Sequence, residues 1–475
     1  MIKRYFATKD NTISNAFEPN LTTRAVSASM GLSDILEVFS IYGQTSSSVG
    51  FSIEESRVLI EFDLTEIQAD ITAKVIPSDA KYYLRLFNAE HGQTIPREYN
   101  LETHSISGSW QEGLGLDMES YSDLSYGFGS NWTVRSGSTA WTTAGGDVYS
   151  NTSSVQTFST GLEDLNVDVT TQVNSWLDSG RANDGFMVKL PTSLADGSQQ
   201  RSYYTKKFFA RGSEFFHKRP VLEVRWDSTV QDDRINFYAS SSLAPAADNL
   251  NTLYLYNYHR GQLANIPAIG TGNIYVDLYE TLGGSALTQC INTPATGGYV
   301  ETGIYTASVC LETTASTIRD VWYSGSVQYH TGTIDVKTSA ALAAAPDNNL
   351  VVSVSNSRSH HYTGQTSRFY FYIREKNWSP NIFTTATSTP TTEVYENLHF
   401  KIIKVVTDEI IFDYDTTNNS TLLSYDSRGN YFDLDMGMLE ADYTYKIELA
   451  LYSVATKSYE QLSFQHKFRV VKNES

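Results

Sequence analysis

The pattern that decides the fold is clearest in one early run, Ser56-Arg57-Val58-Leu59-Ile60-Glu61-Phe62-Asp63-Leu64. Apolar side chains recur here at every second position, from Val58 to Leu64. Successive side chains of a β-strand point to opposite faces, so this period predicts one face toward a core and one toward solvent. Three further runs share the period: Tyr82, Leu84 and Leu86; Ile274, Val276 and Leu278; Ile447, Leu449 and Leu451. The pattern is typical of antiparallel β-sandwiches.

The composition also favours an all-β chain with several cores. Aromatic residues make up 13% of the 475 residues, with 31 Tyr and 22 Phe, whereas only 19% are charged. Tyr and other residues with high β propensity are abundant, and Glu–Lys pairs at helical spacing are scarce. At roughly 150 residues per domain, the length suggests about three domains.

Two polar or Ala-rich breaks mark the expected domain boundaries. One follows Trp226 and runs through Asp227 to Asp233, and the other covers Ser339 to Asn349. The sequence therefore predicts three tandem antiparallel β-sandwiches. We expect a jelly-roll-like module at residues 1–227 and immunoglobulin-like sandwiches at residues 228–339 and 340–475.

The last two predicted domains resemble each other, which indicates a tandem duplication. Leu243-Ala244-Pro245-Ala246-Ala247-Asp248-Asn249 is similar to Leu342-Ala343-Ala344-Ala345-Pro346-Asp347-Asn348, about 100 residues later, the size of an immunoglobulin-like sandwich. The second copy is enlarged around Asn377 to Thr392. A Tyr that enters a late strand can return its hydroxyl to the backbone as a tyrosine corner, and the candidates are Tyr305, Tyr443 and Tyr445.

One short helix is predicted inside the first domain. Its apolar residues fall at i, i+4, i+7 and i+8, with a potential N-cap before them and a glycine after them. These residues are Val169, Val173, Trp176 and Leu177, with Asp168 as the N-cap and Gly180 as the stop.

The charge of the chain argues against two classes of partner. Its 35 basic and 53 acidic residues give a formal net charge of -18. Nucleic-acid binding depends on basic neutralisation of phosphates, so we expect neither nucleic acid nor an anionic membrane as a partner. The opening residues lack the apolar core of a signal peptide, and no window approaches the ~18 apolar residues of a membrane helix. We therefore expect a soluble protein made in a cytoplasm.

The cysteines and histidines offer few functional residues. Cys290 and Cys310 lie in neighbouring β-like segments and could pair, but two small buried thiols in a reducing compartment are the preferred interpretation. His360 and His361 are adjacent, and neighbours on a strand point to opposite faces, so a polar loop is preferred over a metal site.

Familiar catalytic and cation-binding motifs are missing from the sequence. It contains no nucleotide loop, no Gly-x-Ser-x-Gly elbow, no His-Glu-x-x-His helix and no Cys-x-x-Cys pair. Asp413-Tyr414-Asp415 with Asn418 and Asn419 resembles a calcium loop, but its sixth and twelfth positions lack the required Gly and Glu. An acidic turn is the preferred interpretation. We expect no catalytic residue, no cofactor and no metal ligand.

Three tryptophans are the candidates for sugar binding. Trp110, Trp132 and Trp141 lie in Gly- and Ser-rich surroundings, where exposed indole faces would stack on sugar rings. The competing interpretation is that Trp110 and Trp141 anchor a core or a loop.

The first ~225 residues resemble the DNRLRE family, secreted and surface β-sandwich modules related to carbohydrate-binding modules. The resemblance rests on five ordered features of this sequence. They are Leu21 to Val38, Ser56 to Leu64, Ser109 to Gly113 with Trp141, the helical stretch Asp168 to Leu177 followed by Asn183-Asp184-Gly185-Phe186, and Phe208 to Val224. The resemblance implies a β-sandwich and leaves the partner open.

The whole chain also resembles virion structural proteins of marine tailed bacteriophages. The stretches Arg4 to Ile13 and Ser240 to Tyr258 carry this resemblance. It implies a non-enzymatic structural component of the virion, such as a head decoration, neck, tail or fibre-associated protein. Its partners would be other virion proteins in a multi-copy assembly. Two alternatives stay open: a glycan-binding adhesin that contacts the host surface, and a polysaccharide-degrading enzyme.

Overall fold

The computed structural model describes residues 1–47, 50–92, 96–116, 129–178, 180–337, 349–376 and 392–473. The chain is nearly all-β, as predicted, and forms two compact units, Ile2–Trp226 and Asp227–Ser475. The expected break at Ser339 to Asn349 lies almost wholly outside the described residues. So do the Leu342 copy of the repeat and most of the enlargement at Asn377 to Thr392.

Thirteen strands and three α-helices are described in the first unit, with one short 3-10 helix at Phe216–Lys218. The strands are β1 (Ile2–Phe6), β2 (Lys9–Ser14), β3 (Ile35–Ser47), β4 (Gly50–Glu61), β5 (Lys81–Leu86), β6 (Tyr99–Ile106), β7 (Val134–Ser136), β8 (Thr139–Ala140), β9 (Val148–Phe158), β10 (Leu165–Asp168), β11 (Phe186–Lys189), β12 (Tyr203–Phe209) and β13 (Val221–Arg225). The helices are α1 (Thr65–Thr72), α2 (Thr170–Leu177) and α3 (Thr192–Ala195).

Two sheets form the sandwich of the first unit. One has the order β1-β13-β5-β10, and the other has the order β12-β3-β4-β11-β6-β9, with β2 also paired to β4. The alternating runs supply the core, since Val58, Ile60, Leu84 and Leu86 are fully buried. Gly185 has a φ of +84°, and a Cβ there would lie 2.2 Å from the Ile60 carbonyl oxygen. Only glycine therefore fits where β11 enters the sheet beside β4.

The predicted helix is confirmed as α2, and its apolar stripe packs inward. Val173 and Trp176 are buried. The N-cap prediction is wrong by one residue: Val169 occupies that position, whereas the Asp168 carboxylate accepts a hydrogen bond from the Thr170 amide at 2.8 Å. Helices α1 and α3 were not predicted.

The second unit begins with nine strands that surround one core. They are β14 (Asn251–Tyr256), β15 (Tyr258–His259), β16 (Gln262–Leu263), β17 (Ile274–Tyr279), β18 (Ala295–Glu301), β19 (Ile304–Val309), β20 (Thr317–Ser324), β21 (Val327–Thr331) and β22 (Ile334–Asp335). The main sheet order is β14-β19-β18-β17-β20-β21. Strand β18 pairs with β17 through its first residues and with β19 through its later ones, so the sheet folds over a core centred on Trp322. We call residues 235–337 the middle sandwich.

Nine more strands, within residues 349–473, form the last sandwich. They are β23 (Leu350–Val354), β24 (His360–Tyr362), β25 (Thr366–Glu375), β26 (Leu398–Lys404), β27 (Glu409–Phe412), β28 (Ser424–Asp426), β29 (Gly429–Asp435), β30 (Thr444–Ser453) and β31 (Ser458–Val471). A sheet of order β23-β25-β29-β28 faces a sheet of order β24-β31-β30-β26-β27. The pair β24–β31 is parallel, which departs from the antiparallel prediction. The strand order also differs from that of the middle sandwich.

The tyrosine-corner prediction is confirmed at Tyr445. Its hydroxyl donates to the Glu440 carbonyl at 3.0 Å, five residues upstream in the turn that enters β30. Tyr305 behaves differently, because its hydroxyl reaches a separate loop. There it donates to the Gly270 carbonyl at 2.8 Å and accepts from the Ile266 amide at 3.0 Å.

Candidate functional site

The three tryptophans proposed for sugar stacking are buried. Trp110, Trp132 and Trp141 are 3%, 8% and 5% exposed and share one apolar cluster. The Trp110 indole N–H donates to the Asp184 carbonyl at 2.8 Å, and the Arg57 guanidinium lies 4.9 Å from the Trp132 ring centre. No indole face is open to a ligand, so the stacking interpretation is wrong for these residues and the anchoring interpretation holds.

The region resembling a calcium loop is an acidic turn closed by its own hydrogen bonds. The Asp415 carboxylate accepts from the amides of Thr417 and Asn418 and from the Ser420 hydroxyl. Across the described ranges, no group of three or more His, Cys, Asp or Glu is placed to hold a metal ion.

The adjacent histidines lie on a strand, not in the polar loop that was predicted. His361 is buried, and its Nδ1 is 2.8 Å from the Ser367 hydroxyl. His360 is exposed on the opposite face of β24. The expected opposition of the two rings is therefore observed, but they belong to the paired strand β24.

Strands β24 and β31 form one wall of an open surface cleft of about 710 Å³. In the parallel register His360 is paired with Arg469 and Tyr362 with Val471, so these four side chains share a face. The His360 and Tyr362 rings stand perpendicular, with centres 5.5 Å apart. The residues that line the cleft are Ser359, His360, Tyr362, Arg469, Val471, Lys472 and Asn473.

A buried charge cluster in the first unit was missed by sequence reasoning. Glu223 on β13 is 1% exposed and receives the Nε of Arg4 and of Arg225, each at 2.7 Å, with Arg85 3.6 Å away. Burial alone would raise the pKa of Glu223, but the three guanidinium groups hold it far below its usual range. The sequence feature that could have indicated this cluster is the i, i+2 spacing of Glu223 and Arg225, because that spacing puts both side chains on one face of a strand.

A second polar site joins the two sandwiches of the second unit. We call residues 229–234 the clasp. The clasp runs along β28: the Tyr425 amide donates to the Val230 carbonyl at 2.9 Å, and the Asp232 amide donates to the Tyr425 carbonyl at 3.0 Å. The Val230 amide also donates to the Ser424 hydroxyl at 3.0 Å. The segment that precedes the middle sandwich is therefore hydrogen-bonded into the last one.

One carboxylate of the clasp bridges the two sandwiches directly. Asp233 Oδ1 accepts from the Tyr425 hydroxyl at 2.6 Å, and its Oδ2 accepts from the Thr252 amide of β14 at 2.6 Å. Burial raises the pKa of Asp233, although both hydrogen bonds oppose the rise. Each carboxylate oxygen of Asp233 thus accepts a hydrogen bond from a different sandwich.

Arg234 completes the clasp by entering the middle sandwich. Its Nη1 donates to Asp232 at 2.8 Å and also to the Tyr254 carbonyl, and its Nη2 donates to Asp320 at 2.6 Å. Asp320 is fully buried and accepts from the Trp322 indole at 2.7 Å. Burial would raise the pKa of Asp320, but Arg234 and the indole hold it below its usual value. Burial raises the pKa of Asp232 to about 6.

Comparisons with known proteins return only distant similarities. No family model matches the sequence, and no curated protein matches it. The Yersinia pseudotuberculosis adhesin InvE is 14% identical over 49% of this chain and 56% of its own, with a TM-score of 0.16. The Ig1-2 module of the Drosophila receptor tyrosine phosphatase DLAR is 9% identical over 47% and 91%, with a TM-score of 0.15. Sequence identities and TM-scores this low do not support an inference about function.

A Salmonella alpha-2-macroglobulin aligns over 98% of this chain and 26% of its own, at 6% identity and a TM-score of 0.16. The sheet orders of this chain, and not these alignments, define its β-sandwich architecture. Within the described ranges no helix is long and apolar enough to cross a membrane.

Proposed function

We propose that this protein is a non-enzymatic structural component of a tailed bacteriophage virion, present in many copies and acting through protein–protein packing. The observation that carries the proposal is the clasp, because a subunit that reinforces a particle must transmit load between its modules. Asp233 holds a strand of each sandwich with one carboxylate, and Arg234 anchors the same segment beneath Trp322. Buried networks of charge-assisted hydrogen bonds such as this one rigidify a fold.

The sequence supports the same role independently of the clasp. The chain resembles virion structural proteins of tailed bacteriophages through the stretches Arg4 to Ile13 and Ser240 to Tyr258. Strand β23 is the outer strand of its sheet among the described residues, and such an edge is a place where a strand of a neighbouring subunit can pair.

Quantitative mass spectrometry of gradient-purified particles tests this proposal. We expect a fixed, multi-copy ratio of the protein to the major capsid protein. The ratio should survive a wash at high ionic strength. Salt would release a protein that is only adsorbed through its surface charge, but it would leave an assembled subunit in place. Absence from washed particles would overturn the proposal.

A second candidate function is glycan binding at the β24–β31 cleft. The cleft combines a Tyr362 ring that is 43% exposed with the cationic groups of Arg469 and Lys472. A sugar ring can stack on an aromatic face while a guanidinium pairs with its carboxylate or sulfate. The chemistry therefore favours an acidic saccharide, in a chain whose net charge is otherwise strongly negative.

Isothermal titration with a hexameric polyuronate tests the cleft, with an uncharged hexasaccharide as the ligand control. We expect saturable binding that weakens with salt and is lost in Tyr362→Ala. Tyr238→Ala, which removes another exposed tyrosine from the same unit, should bind normally. Binding that is absent, or that both variants keep equally, would exclude this function for the cleft.

A further inference from the structure

The two cysteines of the chain meet in the middle sandwich. The Cys290 amide donates to the Cys310 carbonyl at 3.0 Å, which joins the loop between β17 and β18 to the end of β19. In addition to burial, the neighbouring Cys290 thiol raises the pKa of the Cys310 thiol. Both are free thiols. A backbone hydrogen bond between two residues brings their Cα atoms to about 5–6 Å, which is within the range that a disulfide spans.

The two thiols differ in access to solvent. Cys290 is exposed, which corrects the expectation of two buried thiols, and it lies 3.4 Å from the Ser240 hydroxyl. Cys310 is 1% exposed. Burial and the Cys290 thiol raise the pKa of Cys310 to about 11. A reagent in solution therefore reaches Cys290 first, and Cys310 is the partner held beside it.

We propose that Cys290 and Cys310 form an intramolecular disulfide when the folded protein meets a small-molecule disulfide such as oxidised glutathione. The Cys290 thiolate attacks one sulfur of glutathione disulfide, and a glutathione thiolate leaves and takes up a proton. The Cys310 sulfur then attacks the Cys290 sulfur, gives its proton to the solvent, and displaces the second glutathione. Two protein thiols are oxidised by two electrons, and one disulfide is reduced to two thiols.

The bond would fasten a segment that the sheet alone holds weakly. Residues between β17 and β18 lie outside the strands, and several of their side chains are exposed, including Leu282 and Ile291. A covalent link from this loop to β19 restricts the unfolded chain and so stabilises the sandwich. The chemistry is independent of a virion role, although a protein released by lysis passes from a reducing to an oxidising medium.

Oxidation of the folded full-length chain by glutathione disulfide tests the proposal, with peptide mapping by mass spectrometry under non-reducing conditions. We expect the wild type to lose the mass of two hydrogen atoms and to give one peptide pair linked through Cys290 and Cys310. The thermal unfolding midpoint of the second unit should rise by about 5–10 °C and return after reduction.

Two single variants separate the steps. Cys310→Ser should stop at the mixed disulfide and retain one glutathionyl group on Cys290. Cys290→Ser should remain unmodified, because Cys310 is buried. A wild-type protein that keeps two free thiols, accumulates a stable glutathione adduct or forms dimers through Cys290 would overturn the proposal.

Discussion

Replacement of Arg234 by methionine tests whether buried charge pairing holds the second unit together. Methionine retains an apolar stem but removes the guanidinium, so Asp320 loses the donor at 2.6 Å and keeps only the Trp322 indole at 2.7 Å. Removing one partner of a buried ion pair leaves an uncompensated charge and costs about 3–5 kcal/mol. At about 2–4 °C per kcal/mol for a unit of this size, the unfolding midpoint should fall by roughly 6–20 °C.

The loss should depend on pH in a defined direction. In the wild type Arg234 holds the pKa of Asp320 down against the effect of burial. Without Arg234, burial raises the pKa of Asp320 above its unfolded value, so the folded variant binds a proton that the unfolded chain has released. Stability of the variant is then lost as pH rises through the raised pKa. Its deficit relative to wild type should be largest near about pH 8 and shrink toward about pH 5.

Urea unfolding of the full chain at the two pH values provides the assay. Arg319→Met is the matched control, because Arg319 precedes Asp320 on β20 and bonds the Thr333 hydroxyl on the other face. The control should change the free energy of unfolding by about 0.5 kcal/mol or less. If Arg234→Met costs no more than the control, or costs the same at both pH values, the reasoning about the clasp is refuted.

Three further predictions concern the buried groups of both units. Burial raises the pKa of Asp10 to about 7, so stability of the first unit should fall as pH rises from about 4 to about 7. Asp10→Asn should flatten this slope in calorimetric scans, and an unchanged slope contradicts the assignment. Tyr445→Phe removes the bond to Glu440 and should cost about 1 kcal/mol in urea unfolding, more than the control Tyr443→Phe. Trp132→Ala should cost about 3–5 kcal/mol in thermal unfolding of the first unit, and full stability would contradict its anchoring role.

Sequence periodicity predicts strands well here because burial alternates along each strand. Ile274, Val276 and Leu278 were placed on one face by spacing alone, and all three are fully buried in β17. The same reliance on alternation explains why helix α1 was not predicted. The alternating run continues through Leu64 up to the first residue of the helix. Within the helix only Ile67 and Ile71 fall at helical spacing and only Ile67 is buried, so the apolar stripe is too short to indicate a helix.

The two candidate corner tyrosines show which contacts the local sequence can predict. Tyr445 bonds a carbonyl five residues away, a distance that the turn sequence fixes. Tyr305 bonds the loop at Ile266 and Gly270, and its position depends on how the sheet folds over its core. Tyr305 and Tyr445 follow similar turns in the sequence, yet their hydroxyls bond different kinds of partner. The spacing of the residues does not predict this difference.

The clasp was invisible to sequence reasoning because its contacts are remote. Asp233 and Tyr425 are separated by 192 positions, and the segment between Trp226 and Asp233 has the polar composition of a linker. Composition distinguishes polar from apolar segments but not a solvated carboxylate from a paired one. The stacking interpretation of the three tryptophans was wrong for the converse reason: Gly- and Ser-rich neighbours suggested exposed indoles, whereas all three are buried in one apolar cluster.

The distribution of charge bears on the multi-copy assembly that we propose. Arg4, Arg85, Arg225 and Arg234 are largely buried against Glu223, Asp232 and Asp320, so they contribute little to the field outside. The surface acts as a strongly negative one, which repels other copies at long range and protects the open strand edges from unspecific pairing. In the proposed assembly, stable contact between copies would therefore come from short-range packing where the local charge is reversed. The edge formed by β24 and β31 is a candidate, because it carries Arg469 and Lys472, with the Asp442 carboxylate 3.8 Å from the Arg469 guanidinium. An acidic glycan and an acidic face of a neighbouring subunit would then compete for the same edge.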